Sequence, residues 1–82
     1  MGFGDMVIRV FSSIDDPSVA DPLRKEGFGV TVINGEGLKG AVRIYWCIAP
    51  KRKLKTALKI IESTNPNAYV TTDLANPRAL RK

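Results

Sequence analysis

The sequence predicts a small α+β domain whose elements follow the order strand, helix, strand, strand, helix, strand. Residues 29–48 read GVTVINGEGLKGAVRIYWCI, two alternating β-branched runs on either side of a glycine-rich segment, a pattern typical of a β-hairpin. Residues 51–64 repeat apolar side chains at helical spacing. Shorter apolar runs at 6–12 and 68–72 complete the pattern as the first and last strands.

The first helix is predicted over residues 13–26, with an interruption. Asp16 is a good N-cap for this helix. Pro22 falls in the second turn, where it removes a hydrogen bond and clashes with the preceding turn. We therefore expect a kink, or a loop followed by a restart capped by Asp21. Gly27 predicts the end of the helix.

The second helix is predicted to end at Asn65, because the following Pro66 disfavours helical geometry in the residue before it. Residues 1–5 and 73–82 are expected to be frayed, which leaves one domain, 1–82, with a core of about 6–73. The core-facing stripe of the second helix is Leu54, Ala57, Leu58 and Ile61.

This order of elements predicts the split βαβ, or ferredoxin-like, arrangement, a two-layer sandwich with a four-stranded antiparallel sheet and both helices on one face. The helix-covered face is expected to hold Ile8, Val10, Val30, Val32, Ile44, Trp46, Ile48 and Val70. The other face is expected to hold Val7, Arg9, Phe11, Thr31, Arg43, Tyr45, Cys47, Tyr69 and Thr71. Because half of this second face is apolar, it predicts either a subunit interface or a site for a flat ligand.

The amino-acid composition limits the classes of protein and of partner that fit this chain. One cysteine and no histidine exclude an internal disulfide and argue against a zinc site, and no apolar run approaches a membrane span, so we expect a cytoplasmic protein. The net charge of +5 is uneven, because residues 38–82 hold ten basic and two acidic side chains. This asymmetry favours an anionic partner, whether nucleic acid, nucleotide or lipid headgroup; the alternative is a solvated basic face.

An enzyme is not expected. Without histidine the chain lacks a ready general base near neutral pH. Cys47 alternates into a predicted strand and is expected to be a packed residue, and Asp15 and Asp16 lie where capping explains them. We assign no catalytic residue, no metal ligand and no cofactor.

Two segments predict a site for a small anionic ligand, and a nucleotide is the expected form of that ligand. The loop 34–40 offers backbone N–H groups and the cation Lys39, although it matches neither a phosphate-binding P-loop nor a dinucleotide motif. The predicted helix begins with cations at 51–53, where the positive end of the helix dipole makes them unfavourable for stability. Cations and free backbone N–H groups at a helix start are, however, suited to binding an anion. The candidate ligand-binding residues are Asn34, Gly35, Glu36, Gly37, Lys39, Gly40, Lys51, Arg52 and Lys53.

Two alternatives remain open at this point. One is a structural homo-oligomerisation module whose open sheet face is the interface. The other is RNA binding, for which Phe11 and Tyr45 are the stacking candidates; nucleic acid is the less favoured partner, because Ala41 and Arg43 occupy the stacking positions of an RNA-recognition motif.

The run LRKEGFGVTVINGEGLKG, the basic helix start and the segment ESTNPNAYVTT resemble the C-terminal domain of unknown function of YitT-type membrane proteins, also found in a related family of small uncharacterised membrane proteins. The matching positions are Leu23-Arg24, 27–31, 35–37, 42–48, 51–53 and 65–71. Asn65 stands where the family pattern has an acidic residue.

The resemblance implies a ferredoxin-like fold similar to nitrogen-regulatory P-II and cyclic-di-AMP receptor proteins, and a regulatory, ligand-sensing role. In those proteins the connection between strands two and three responds to ligands, and trimers bind ligands between subunits. The equivalent segment here, 34–40, is far shorter. The resemblance also implies attachment to membrane helices in relatives, and it supplies no reaction.

Overall fold

A computed structural model describes residues 4–75 of the chain and confirms the predicted α+β, ferredoxin-like architecture. The sheet has four antiparallel strands, and two helices lie on one of its faces. The expected frayed residues 1–3 and 76–82 lie outside the described part, whereas Asp5, Asp73 and Leu74 belong to strands. The elements are β1 (Asp5–Ser13), α1 (Ala20–Lys25), β2 (Gly29–Gly37), β3 (Gly40–Pro50), a 3₁₀ turn (Lys51–Lys53), α2 (Leu54–Thr64) and β4 (Tyr69–Leu74).

The strand order is β2-β3-β1-β4, so the first and third strands lie in the centre. β1 pairs with β3 over its whole length, from Asp5 opposite Pro50 to Ser13 opposite Val42. β2 and β4 are therefore the two edges of the sheet, and β1 and β3 form its centre.

The first helix is shorter than predicted, because residues 14–19 form a loop and α1 begins only at Ala20. Pro22 consequently occupies the first turn, where its missing N–H has no helical partner to lose. The N-cap is Val19, so the predicted caps at Asp16 and Asp21 are wrong; Asp21 lies inside the first turn instead.

The predicted stop at Gly27 is confirmed. Gly27 has φ of 95°, a left-handed conformation that favours glycine. Its N–H donates to the Arg24 carbonyl at 3.0 Å, and the N–H of Phe28 donates to the Leu23 carbonyl at 3.1 Å. This is a Schellman ending, and the accompanying apolar contact is provided by Phe28 and Leu23, which are both buried.

The stripe predicted for α2 faces the core. Ala57 and Ile61 are buried, and Leu54 and Leu58 pack partly buried against the same cluster. The core between the sheet and the helices consists of Ile8, Val10, Val19, Ala20, Leu23, Phe28, Tyr45, Cys47, Ala49, Ala57 and Ile61.

The predicted faces of β3 are wrong. Cys47 lies opposite Ile8 and Tyr45 lies opposite Val10, and directly opposed residues of antiparallel strands share a face. Tyr45, Cys47 and Ala49 therefore point to the helices and are fully buried. The reason is packing: small residues such as Cys47 and Ala49 leave room for a helix above the sheet. Ile44, Trp46 and Ile48 point to the opposite side, and Arg43, opposite Ser12, shares the helix side.

Candidate functional site

The predicted glycine-rich loop is mostly strand. β2 continues to Gly37, and only Leu38 and Lys39 connect it to β3. Asn34 lies opposite Arg43 in the ladder, and the Arg43 Nε donates to the Asn34 side-chain oxygen at 3.4 Å. Gly40, with φ of 131°, closes this tight turn. The predicted loop over 34–40 is therefore wrong in its extent, because antiparallel pairing places residues 34–37 in β2.

The candidate ligand residues fall into two separate groups. Lys39 precedes the first residue of β3, and Lys51 follows its last residue. A strand of 11 residues is about 34 Å long, close to the longest dimension of the described structure, 39 Å. Residues 34–40 therefore lie at one end of the sheet and Lys51, Arg52 and Lys53 at the other. The expectation that all nine build one anion site is wrong.

The end of the sheet that carries Lys51 gathers further cations. α1 ends there, and the Arg24 Nη2 donates to the Val30 carbonyl of the neighbouring edge strand at 2.8 Å. β1 also begins there, because the backbone N–H of Lys51 donates to the Gly4 carbonyl. All six cations of this "basic end" have exposed side chains: Arg24, Lys25, Lys51, Arg52, Lys53 and Lys55.

The sheet face away from the helices, called the open face below, is arranged in rows across the strands. One row runs Ile33, Ile44, Phe11 and Tyr69 from edge to edge. The next row runs Thr31, Trp46, Arg9 and Thr71, and a third runs Gly29, Ile48, Val7 and Asp73. Large apolar side chains remain uncovered here: Ile33 is 43% exposed, Trp46 39% and Ile48 50%. The face is thus apolar and unpartnered by the described residues.

One cation lies in the interior of the open face. Arg9 donates from Nη1 to Oδ2 of Asp73 at 3.3 Å, and its guanidinium carbon lies 5.1 Å from the centre of the Trp46 ring. These two contacts hold the guanidinium against the sheet. They border a hollow of about 370 Å³. The hollow is lined by Asp5, Val7, Arg9, Trp46, Ile48, Asp73, Leu74 and Ala75.

The two stacking candidates for RNA are separated. Phe11 lies on the open face beside Tyr69, with ring centroids 6.0 Å apart, while Tyr45 is fully buried on the other face. A base stacked on Phe11 therefore has no contact with Tyr45, and the predicted RNA platform is wrong in its residues.

Cys47 behaves as the packed residue predicted from the sequence. It is buried in the core, and burial raises the pKa of its thiol above the ordinary value of 9.0. The thiol therefore stays protonated, which is the inert form of cysteine. Within residues 4–75, no group of three or more histidine, cysteine, aspartate or glutamate side chains is placed to bind a metal ion.

Asp16 pairs with Asn65, a contact that the sequence pattern does not indicate. Asn65 is buried, donates to the Asp16 carboxylate at 3.2 Å and accepts from the Asn67 N–H at 3.1 Å. It thereby ties the β1–α1 loop to the α2–β4 loop. The N-P dipeptide marked this position as a turn, but only tertiary structure supplies the partner 49 residues away.

Trp46 and Ile48 are surface residues, although the sequence pattern predicted them on the helix-covered face. The available signal was that apolar side chains occupy both alternation phases of β3 from Ile44 onwards.

Within the described residues, no helix is long and apolar enough to span a bilayer.

The fold and the surface define a class: a ferredoxin-like α+β domain with one apolar sheet face left open and a cationic end. A family model described as "uncharacterized protein conserved in bacteria (DUF2179)" matches residues 28–75. The chain belongs to this family, which is consistent with the predicted resemblance to the C-terminal domain of YitT-type proteins.

Curated relatives carry the description UPF0316 protein. The Acetivibrio thermocellus relative is 33% identical over 73 residues, which cover 89% of this chain and 36% of that protein. The relative from Leptospira interrogans is 28% identical, over 92% of this chain and 38% of its own length. The relative from Alkaliphilus oremlandii is 31% identical, over 99% of this chain and 46% of its own length. The chain thus spans less than half the length of these relatives.

Two solved structures share the fold. A functionally unknown protein from Pediococcus pentosaceus superposes with a TM-score of 0.78 at 12% identity, covering 99% of this chain and 100% of that one. An uncharacterized DUF2179 protein from Eubacterium ventriosum superposes with a TM-score of 0.62 at 17% identity, covering 84% and 97%. At these identities the comparison supports the fold alone.

Proposed function

We propose that this domain is a self-association module and that the open face is its interface. The observation that carries the proposal is the row of apolar residues that crosses all four strands, Ile33, Ile44, Phe11 and Tyr69, with the half-exposed Ile48 and Trp46 beside it. Contiguous apolar surface of this kind marks an interaction site on a small domain.

Charge favours a second copy as the occupant. The chain carries a net charge of +5, so two copies repel each other through most of their surface. By the strand register, the charged side chains on the open face of the described sheet are Asp5, Arg9 and Asp73, whose formal charges sum to −1. The open face is therefore where two copies approach with the least repulsion.

The size of the open face also bears on this proposal. Four strands spaced about 4.8 Å apart and three rows spaced about 7 Å apart give a projected area on the order of 400 Å². Side-chain relief adds accessible area to this projection, and a standard interface buries about 800 Å² per partner. Sheet-on-sheet packing of this type places inner faces about 10 Å apart.

Sedimentation velocity over a wide range of protein concentrations tests the proposal. Ile33→Lys places a charge on the open face, and Val32→Lys is the matched control on the neighbouring residue, which is 39% exposed but faces the helix side. We expect the wild type to associate, Ile33→Lys to be at least tenfold weaker and Val32→Lys to be nearly unchanged. Equal loss in both variants indicates pairing through the β2 edge, and a monomeric wild type at millimolar concentration refutes the proposal.

A second candidate keeps the anionic ligand and confines it to the basic end. It is supported by six exposed cations gathered from α1, the 3₁₀ turn and α2, a charge density suited to phosphate groups. A nucleotide remains the expected form. In this candidate the hairpin residues 34–40 have no part, since they lie at the far end of β3.

Thermal shift with ATP, GTP and cyclic dinucleotides tests this candidate. We expect the melting temperature to rise with at least one of them, and the rise to disappear in the triple variant Lys51→Gln, Arg52→Gln, Lys53→Gln. Lys39→Gln, at the hairpin end, is the control and keeps the shift. No shift with any nucleotide contradicts the candidate, as does equal loss in the control.

The start of β1 and the end of β4 suggest where further chain joins the domain in longer relatives. The N–H of Ala75 donates to the Asp5 carbonyl at 2.8 Å, so the chain enters and leaves the sheet at the basic end. We propose that the additional length of the relatives, including any membrane domain, is joined there, and that the domain is cytoplasmic and performs no chemical reaction itself. Cell fractionation of the tagged full-length protein checks the location.

A further inference from the structure

We propose that the Arg9–Asp73 ion pair is the specificity-determining element of the open face, fixing the one alignment in which two copies associate. This inference rests on the self-association proposed above. It concerns the part of the face that apolar packing does not explain.

The pair joins an interior strand of the open face to its edge strand β4. Arg9 lies on β1, an interior strand, with Trp46 opposite it on β3. Its partner Asp73 lies on β4, opposite Val7, so the ion pair runs diagonally between two rows. Apolar rows lie on both sides: Ile44 and Phe11 on one, Ile48 and Val7 on the other. A second copy that covers both rows must therefore also cover Arg9.

The guanidinium is already held in position before association. Its side chain is 28% exposed, compared with 67% for Asp73, and it is fixed by the 3.3 Å ion pair on one side and by the Trp46 ring on the other. A side chain held in this way loses little conformational freedom when it is covered. Both members keep hydrogen-bonding capacity, because the ion pair engages Nη1 of Arg9 and Oδ2 of Asp73 only.

The consequence is selectivity among alignments. Along β3, apolar side chains recur at every second residue, from Ile44 through Trp46 to Ile48, so sliding one copy by two residues keeps apolar contacts along that strand. The ion pair does not tolerate this shift, because a covered charge must keep its partner and satisfy its remaining hydrogen bonds. Only an alignment that leaves the hollow beside Arg9 filled by a complementary side chain, or open to water, meets this requirement. A single polar element in an apolar seam specifies register in coiled coils by the same logic.

The test uses sedimentation velocity and native mass spectrometry on the intact chain. The double variant Arg9→Leu, Asp73→Leu removes both charges, and each single variant leaves one charge without its partner. We expect the wild type to form one discrete oligomer. The double variant should associate at least as tightly but give a mixture of stoichiometries, and each single variant should weaken association by about 100-fold.

Lys59→Leu is the matched control, because it removes one exposed charge and adds one leucine on α2, away from the open face. It should leave stoichiometry unchanged. Thermal unfolding of each variant separates a folding defect from an interface effect, and Arg9→Lys, which keeps the charge on β1, should retain the single stoichiometry with reduced affinity.

The outcomes distinguish this inference from the proposal beneath it. If the wild type associates and the double variant forms the same single oligomer with the same affinity, the inference is wrong while self-association stands. If the wild type associates but neither Ile33→Lys nor the Arg9 and Asp73 variants change its association, the interface lies elsewhere and both statements fail. A wild type that remains monomeric at millimolar concentration also overturns both.

Discussion

Replacing Tyr45 with phenylalanine tests the packing of the sheet against the helices most directly. Tyr45 is fully buried on the helix side, and its hydroxyl has no hydrogen-bond partner among residues 4–75. A buried hydroxyl without a partner lowers stability by about 1–3 kcal/mol, because it has lost its bonds to water. Tyr45→Phe removes this oxygen and keeps the ring, so we expect the free energy of unfolding to rise by about 1 kcal/mol.

For a domain of this size, a rise of about 1 kcal/mol shifts the melting temperature upwards by roughly 4–8 °C. Urea unfolding followed by tryptophan fluorescence measures the free energy, and calorimetry measures the melting temperature. Tyr69→Phe is the control, because Tyr69 is 68% exposed and its hydroxyl is open to solvent. Its substitution should change stability by less than about 0.5 kcal/mol.

Destabilisation by 1 kcal/mol or more in Tyr45→Phe refutes this reasoning, since it means that the hydroxyl has a partner such as a buried water. Ser12 offers a further check, because its hydroxyl is also buried without a partner and it lies one diagonal step from Tyr45 on the same face. Additive effects of Tyr45→Phe and Ser12→Ala indicate two independent orphan hydroxyls. Strong coupling between them indicates a shared water molecule.

Three further predictions follow from single sites. Gly40→Ala should lower the free energy of unfolding by at least about 1 kcal/mol, because φ of 131° is strained for any side chain, whereas Gly29→Ala meets no atom within 4 Å and should be neutral or slightly stabilising; chemical denaturation of both variants compares them. Asn65→Ala should cost about 2 kcal/mol and loosen two loops, seen as faster amide exchange around Asp16, because it removes a buried hydrogen-bonding group. Burial raises the pKa of the Cys47 thiol, so its contribution to stability is fully present below about pH 9 and is lost as the pH rises further; Cys47→Ala should flatten this part of the stability profile, and an unchanged profile contradicts the assignment.

The sequence predicted the element order and, through it, the topology. Alternation at 6–12, 29–33 and 68–72 marked strands, and the spacing of Leu54 and Ile61 marked the core side of α2. These signals are local, since a residue's periodicity depends only on its neighbours in the chain. The ends of the strands and helices were predicted less accurately. β2 extends through a glycine-rich stretch, because cross-strand pairing outweighs the low strand propensity of Gly35 and Gly37.

The candidate site was predicted less well, because it required knowing which residues far apart in sequence lie at the same end. Lys39 and Lys51 are close in sequence, yet a single extended strand separates them. Arg24 and Lys51 are distant in sequence, yet α1 and β3 end on the same side of the sheet. If a helix stood in place of β3, the distance between Lys39 and Lys51 would be less than half as long, because a helix rises only about 1.5 Å per residue.

The amino-acid sequence by itself determined the α+β class, the strand order, the stripe of α2, the glycine stop at Gly27 and the excess of positive charge in the second half. Tertiary structure alone decided which side of β3 is buried, where the cations gather and that Arg9 rests between Trp46 and Asp73. The physical reason is that β3 is apolar in both alternation phases near its end, so the alternation pattern allows either side of the strand to be the buried one. Only pairing with β1 and the space that a packed helix leaves above small residues select one of them.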